Sequence, residues 1–402
     1  MLNIGIYFET SPKLGGSHQQ NLKLIEIFEK DLSKHFNFTY IVSDNSQSIF
    51  FKSQNANIIV FNKNIIHKLE LFLFRFNFFR ELYKKIKLTS RFENFLIKKK
   101  FSLIFFNSPS EISILINKLN FVIMLLSIQH RTHGFFPEYK SGHDTEIRDI
   151  IIENAARKSF KIFVGANKDK ILLEKFYNLQ SEKIVVQPYG FTLPTIYENN
   201  KNYDFNKKYN KLNLPKDKNI FIYPAQFWAH KNHKYIIEVT KELRKKKMNN
   251  IHFVFCGHDK GNKKYISNLI YEEKLNNFIT ILEFVDDFEL VALYLNCFGV
   301  VMPTFIGHTT IPMYEAFYFR KNIFYTKNLC DESVKRFLTE IDLKDPNSFI
   351  DEYIKIDNNK STNEQMLNEA QLFIKNMNID FLISQNLYRV FKDYNFFRST
   401  WE

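Results

Sequence analysis

Glycine and proline are scarce in this chain, with 11 and 10 residues among 402. No low-complexity tract and no internal repeat is present. Cysteine is rarer still. Cys256, Cys297 and Cys330 are odd in number, widely spaced and set in apolar surroundings. They make neither a disulfide framework nor a metal-binding pattern, and a reducing cytoplasm fits them best. Long apolar runs are missing as well. The nearest, Ile65 to Leu82, is broken by Lys68, Glu70, Arg75 and Arg80, and no run reaches the ~18 residues a spanning helix needs. No secretory leader is expected, because Met1 to Phe8 reads as a first buried strand. Acidic residues fall short of basic ones, 43 against 56, leaving a net charge of +13. That bias favours anionic partners.

What is present describes a globular protein. The chain is 45% hydrophobic and 25% charged, with 44 Phe and 20 Tyr. Its length exceeds one ordinary core, so two domains are expected. His230 and His233 lack a nearby Cys or carboxylate to complete a zinc site. Arg244-Lys-Lys-Lys247 reads as the solvated end of a helix. With no recognition module beside it, no nucleic-acid partner is expected.

Strand-like and helix-like runs alternate. Strands are expected at Ile4–Phe8, Thr39–Val42, Ile58–Phe61, Leu103–Phe106, Val122–Ser127, Ile162–Val164 and Ile184–Gln187. Helical patterns lie at Leu22–Leu32, near 64–86 and 90–99, and at Ile147–Ser159 and Lys168–Tyr177. Thr192 to Asn219 is polar and aperiodic and reads as an interdomain linker. Alternation then restarts, with strands at Ile220–Tyr223, Ile251–Cys256, Ile279–Glu283, Gly299–Met302 and Asn322–Tyr325. The helices between them are Tyr235–Lys246, Lys263–Glu273, Asp287–Asn296 and Ile311–Phe319. The tail from Asn363 to Glu402 looks helical. Repeated βα units imply parallel sheets covered by helices, with ligands at the carboxyl ends of the strands.

Two motifs fall at such strand ends. Tyr223-Pro-Ala-Gln-Phe-Trp-Ala-His-Lys-Asn-His233 offers Lys231 as a point charge, and Pro303 to Phe317 offers a Gly/Thr turn at a helix start, with Glu315 one turn on. A lysine and free helix-start N–H groups suit a diphosphate, and a carboxylate suits a sugar diol. The plain reading of Thr309 and Thr310 is helix capping, and Asp286 or Asp287 caps the helix that follows.

These residues resemble the retaining GT-B glycosyltransferases of family 4 (group 1), most clearly from about Ile162 to Tyr325. The resemblance implies two Rossmann-like domains facing across a cleft: 1–195 on the acceptor side, 196–375 binding the nucleotide-sugar, and a helical tail, 376–402, returning to the first. It places Lys231 on the donor diphosphate, with Gln226 where the family usually has arginine. It places Glu315 on the donor ribose, with Gly307 at the family's first acidic position and His308, Thr309 and Thr310 beside the phosphates. Gly15-Gly16 matches the amino-terminal glycine loop. His130 and Arg131, in Ser127-Ile-Gln-His-Arg…Phe136-Pro-Glu138, match the His-Arg pair, whose Asp is replaced by Ser127. Gly257 and Val285 fall where the family places the nucleotide.

The expected reaction is transfer of a hexose from a nucleoside diphosphate sugar to a hydroxyl of a cell-envelope glycan or lipid-linked acceptor, with retention and without a metal or other cofactor. A GT-B epimerase or hydrolase, or a non-catalytic nucleotide-sugar-binding protein, are the alternatives. The expected location is the cytoplasm, including the inner membrane face. The stretch Leu71–Phe79, with Lys84-Lys85 and Lys98 to Lys100, reads either as a core helix with a solvated basic end or as a membrane-side surface.

Overall fold

A computed structural model describes residues 1–8, 15–43, 57–140, 144–283 and 285–401. The chain forms two compact units. The first comprises Met1–Phe135, Tyr139–Gly190 and Asp380–Glu402. The second comprises Phe136–Glu138 and Phe191–Ile379.

The first unit is built on seven parallel strands: β1 (Leu2–Phe8), β2 (Phe36–Val42), β3 (Ile58–Val60), β4 (Leu103–Phe106), β5 (Asn120–Leu125), β6 (Ile162–Val164) and β7 (Ile184–Val186). Their order is β3-β2-β1-β4-β5-β6-β7. Ile4 lies beside Phe38 on one side and Leu103 on the other. The inner strands are nearly continuous apolar runs, as sheets covered on both faces require; all four residues of β4 are buried. One cover is the last helix, Ile379–Arg398. Its Phe391, fully buried, packs its ring against Phe28, Phe36, Phe38 and Phe105. Tyr394 donates to Ser102 O at 2.7 Å, and Lys23 pairs with Asp380 at 2.9 Å.

The second unit has six parallel strands: β8 (Asn219–Pro224), β9 (Ile251–Cys256), β10 (Ile279–Leu282), β11 (Gly299–Met302), β12 (Asn322–Thr326) and β13 (Thr339–Ile341). Their order is β10-β9-β8-β11-β12-β13. Strand order reverses between β1 and β4 in one sheet and between β8 and β11 in the other. Crevices form at such switch points, beyond the strands' carboxyl ends. Both units are therefore Rossmann-like, as the alternating pattern implies.

The sequence reading needs two corrections. The supposed linker Thr192–Asn219 holds two short helices, Leu193–Asn199 and Phe205–Asn210. Aromatic packing inside the second unit orders it: Phe205 stacks on Phe288 at 5.9 Å and Tyr197 meets Phe319 at 5.7 Å. A sixth strand, β13, and a helix at Asn347–Asn358 were not anticipated. The stretch near 64–86, for which the sequence leaves a core helix and an outward surface both open, has features of each, with Phe74 in the core. It splits into Ile65–Phe74 and Asn77–Lys85 around Arg75-Phe76, and much of its apolar surface points outward.

Candidate functional site

In the second unit, β8 ends at Pro224 and the chain passes into one helical turn, Ala229–Lys231. Asn232 then adopts the left-handed conformation, φ 54°, which asparagine tolerates better than most residues. The helix His233–Lys245 follows. The turn is fixed from both sides. Tyr223 donates its hydroxyl to Lys231 O at 2.7 Å. His230 O accepts from Phe305 N at 2.9 Å and from the Thr304 hydroxyl at 3.3 Å. Thr304 and Phe305 belong to the loop after β11, so the Lys231 turn and the Gly307 loop form one connected structure.

That loop opens the helix Ile311–Tyr318, which has Pro312 in its first turn. Gly307 has φ +124°, where a side chain is strained. Its carbonyl accepts from Tyr325 Oη at 2.6 Å, and His308 O accepts from Asp331 N at 2.9 Å. Thr310 occupies the N-cap position, yet its side chain makes no capping bond. The hydroxyl instead approaches Met302 Sδ at 3.7 Å, so the capping expected of these threonines is not made at Thr310. His308 and Thr309 are buried.

Glu315 lies on this helix and is 1% exposed. It accepts the Tyr294 hydroxyl at 2.8 Å. Gly257, just past β9, has no room for a side chain, because a Cβ there would lie 2.2 Å from Ala225 O. Gln226 Oε1 accepts from Trp228 Nε1 at 3.0 Å, which leaves its amide nitrogen as a donor without charge. Val285 directly precedes Asp286, which caps the helix Asp287–Asn296. The cap is reciprocal: Glu289 N donates to Asp286 Oδ1 at 2.7 Å and Asp286 N to Glu289 Oε2 at 3.0 Å.

Lys231 combines a shifted ammonium with the lack of a partner for it among the described residues. Burial pushes its ammonium down to about 8, opposed only by the attraction of Glu138. Among the described residues it has no ion pair and no hydrogen-bond partner for Nζ. Glu138 is largely committed elsewhere: it accepts from His230 N at 3.0 Å and also binds His230 Nδ1.

In the first unit, His130 and Arg131 sit past the carboxyl end of β5, on the short helix His130–His133. Three donors converge on Asp149 Oδ1: His130 Nε2 at 2.9 Å, Arg131 Nε at 2.6 Å and Tyr177 Oη at 2.6 Å. The Arg131 guanidinium also lies over the Tyr177 ring at 5.3 Å. The His130 side chain is wholly buried, and burial lowers its pKa against the pull of Asp149. The ring is then neutral near pH 7. With Nε2–H given to Asp149, Nδ1 is left as an acceptor with no partner among the described residues. Gly15 and Gly16 open the helix Gly15–Ile27 that follows β1.

The residues named from the sequence thus fall into two groups. Gln226, Lys231, Gly257, Val285, Gly307 to Thr310 and Glu315 belong to the second unit, and Gly15, Gly16, His130 and Arg131 to the first. Sequence reasoning missed Asp149, Tyr177, Tyr294 and the His230–Glu138 pair. Glu138 had a signal in Phe136-Pro-Glu138; the others lie far from their partners in sequence and had none. Among the described residues, no group of three or more His, Cys, Asp or Glu could hold a metal ion.

Residues 204–373, all within the second unit, match the family model described as "Glycosyl transferases group 1". No curated protein matches the chain in sequence. Several solved structures are similar over almost its whole length. HepE (Alr3699) of Anabaena, in complex with UDP-glucose, has 14% identity and a TM-score of 0.71, covering 98% of this chain and 100% of its own. Sucrose-phosphate synthase (tll1590) of Thermosynechococcus elongatus has 13% identity and a TM-score of 0.70, with the same coverage. UDP-GlcNAc 2-epimerase of Neisseria meningitidis, bound to UDP-GlcNAc, has 13% identity and a TM-score of 0.61, covering 96% and 100%. At these identities the likeness establishes the fold, which is of the GT-B class.

Proposed function

We propose that this protein is a glycosyltransferase that uses a nucleoside diphosphate sugar, transferring a hexose to a hydroxyl with retention of configuration and without a metal. One observation carries the reading. A half-buried lysine whose Nζ has no partner among the described residues sits on a turn hydrogen-bonded to the loop that opens the helix Ile311–Tyr318. An ammonium drawn partly out of water and left without a partner is favoured by an anion beside it. Amides at a helix start favour the same anion. A diphosphate leaving group gains charge as its bond to the sugar breaks, so a fixed cation and fixed amides stabilise the transition state more than the ground state.

The remaining residues take roles by chemistry. Lys231 meets the diphosphate oxygens, and the backbone around Gly307 to Thr310 supplies N–H groups. Gln226 adds a neutral donor. Glu315, held by the Tyr294 hydroxyl, suits the ribose diol. His130 Nδ1 is an acceptor suited to a sugar hydroxyl. The acceptor substrate in this reading is a cell-envelope glycan or a lipid-linked precursor.

The test is a product assay on purified protein. UDP, GDP and their sugars are first screened for thermal stabilisation, and the stabilising sugar is then offered with glycan and lipid-linked acceptors. Transfer that persists in EDTA, with the anomeric configuration kept, is the expected result. An epimer or free sugar without transfer would replace the reading with that of an epimerase or hydrolase. Activity lost in EDTA and restored by Mn²⁺ or Mg²⁺ would remove the metal-free mechanism.

A further inference from the structure

The helix Ile65–Phe74 is inside out. His67, Glu70 and Phe74 face the interior. Ile65 is 84% exposed, and Ile66, Leu69 and Phe72 are exposed with it. A soluble helix normally buries its apolar stripe and wets its polar one. Here Glu70 is turned inward to accept Arg91 N at 3.1 and 3.2 Å. The helix Asn77–Lys85 continues the pattern. Phe78, at 71% exposure, Leu82 and Ile86 are exposed at four-residue spacing, which places them on one face. Ring contacts join the two helices into one patch: Phe72 to Phe76 at 5.5 Å, Phe76 to Phe79 at 6.5 Å and Phe78 to Phe79 at 5.4 Å. An exposed aromatic patch of this kind marks a contact surface.

The charge around the patch says what it contacts. From Lys63 to Lys100 the chain has eleven Lys and Arg against three Glu. Two of those glutamates do not offset the outward charge. Glu70 serves Arg91 N, and the buried Glu93 accepts Asn117, Lys118 and Leu119 N–H groups at 2.8, 2.5 and 2.9 Å. Glu81 pairs with Lys84 at 2.8 Å and Glu111, from outside this stretch, with Arg75 at 2.6 Å, which still leaves the surplus strongly positive. Exposed apolar side chains followed closely by the exposed Lys84, Lys85 and Lys87 match the interface of an anionic bilayer, where rings enter the acyl boundary and ammonium groups meet lipid phosphates. A second copy of the chain would set cations against cations. No helix among the described residues is long and apolar enough to cross a membrane.

We infer that the face formed by Ile65–Phe74 and Asn77–Lys85 docks on an anionic lipid surface, its phenylalanines inserted and Lys84, Lys85 and Lys87 on the headgroup phosphates. This inference does not rest on the transferase reading, and its test involves neither donor nor acceptor.

The full-length protein is sedimented with phosphatidylcholine vesicles, with and without phosphatidylglycerol, at low and high salt. Binding is expected to phosphatidylglycerol vesicles and to weaken with salt. Two variants separate the contributions: Phe72→Ser with Phe78→Ser, and Lys84→Glu with Lys85→Glu and Lys87→Glu. Each is expected to lower partitioning by about tenfold or more, with unfolding temperatures near the parent's because the side chains are exposed. A parent protein that stays in solution with phosphatidylglycerol vesicles overturns the inference, as do variants that bind like the parent. If light scattering instead shows a dimer that Phe72→Ser/Phe78→Ser dissociates, without vesicle binding, the face is a homotypic interface and the lipid assignment is wrong.

Discussion

Lys158 in the first unit and Lys231 in the second are both half-buried lysines pushed down to about 8. Their surroundings differ. Lys158 donates to Ile116 O at 3.1 Å and to Asn117 Oδ1 at 2.6 Å. Lys231 has no such partner among the described residues. Burial shifts both in the same direction, so the shift alone does not distinguish a structural lysine from a binding one. The distinction lies in the hydrogen-bond accounting, because a buried donor is costly to leave unpaired. Lys158 is tied into the fold locally, whereas Lys231 is the one that the proposed function assigns to an anion. The Asp149 cluster repeats the contrast from the first unit's side: it gathers His130, Arg131 and Tyr177 on one oxygen and leaves the buried His130 Nδ1 without a partner among the described residues.

The sharpest way to break this comparison is to remove Lys231. Lys231→Ala should lower transfer by roughly 10²–10³-fold, the usual loss when a group that stabilises developing negative charge is deleted. It should leave the melting temperature close to the parent's, since among the described residues the ammonium makes no hydrogen bond or ion pair that holds the fold. Lys158→Ala should do the reverse, costing stability and sparing turnover. Steady-state kinetics and calorimetric unfolding of the pair decide it. A Lys231→Ala protein with parental kcat/KM would end the diphosphate assignment.

Next in size is Asp149→Asn. Losing the charge that holds three donors should cost about 1–3 kcal/mol of stability, read from denaturant unfolding. Nucleotide affinity should be unchanged, because Lys231 and the Gly307 loop are untouched. Weakened UDP or GDP binding in this variant would contradict the division of labour between the units.

A pH series sharpens the Lys231 side. Its folded pKa lies below the unfolded value near 10.5. Between about 8 and 10.5 the unfolded chain therefore holds more protons, and this group's contribution to stability rises with pH across that window. Below about 8 both states are protonated and the burial cost is fully present. Nucleotide binding should show the opposite trend. The cationic form binds the anion, so affinity should fall by up to about tenfold per pH unit above 8. Titration calorimetry between about pH 7.5 and 9 measures it. Lys231→Arg, which stays charged, should flatten the curve, and an unchanged slope would assign the dependence to another group.

The smallest effect expected is from Gln226→Arg. Gln226 already uses Oε1 on Trp228, so a guanidinium there adds charge at the cost of one weak contact. Donor affinity should rise by about two- to fivefold. A large loss would mean that the position does not face the anion.

The alternating strands were legible because each is a short apolar run bounded by polar turns, and in parallel sheets that pattern is nearly unambiguous. Lys231, Gly307 and Glu315 were legible because their motifs lie just after such runs. The Asp286 cap follows from an acidic residue immediately before a helical pattern. What stayed hidden depends on partners distant in sequence. Nothing near His130 points to Tyr177, and nothing in Asn/Lys-rich Thr192–Asn219 says that Tyr197 and Phe205 will find Phe319 and Phe288. Thr310 shows the limit of local rules: it stands at the cap position while its hydroxyl turns to Met302. For Ile65–Phe74, hydrophobic content was plain in the sequence, but which side would be covered was not, because almost every face is apolar.

The last helix completes the first unit, with Phe391 closing over Phe28, Phe38 and Phe105 and Tyr394 reaching Ser102. On the ribosome, the amino-terminal sheet must therefore wait, part of its apolar face uncovered, while the whole second unit is made. The half that is synthesised first is finished last. During that interval the nascent chain presents sticky surface, which makes synthesis, more than storage, the stage at which this protein needs chaperone protection.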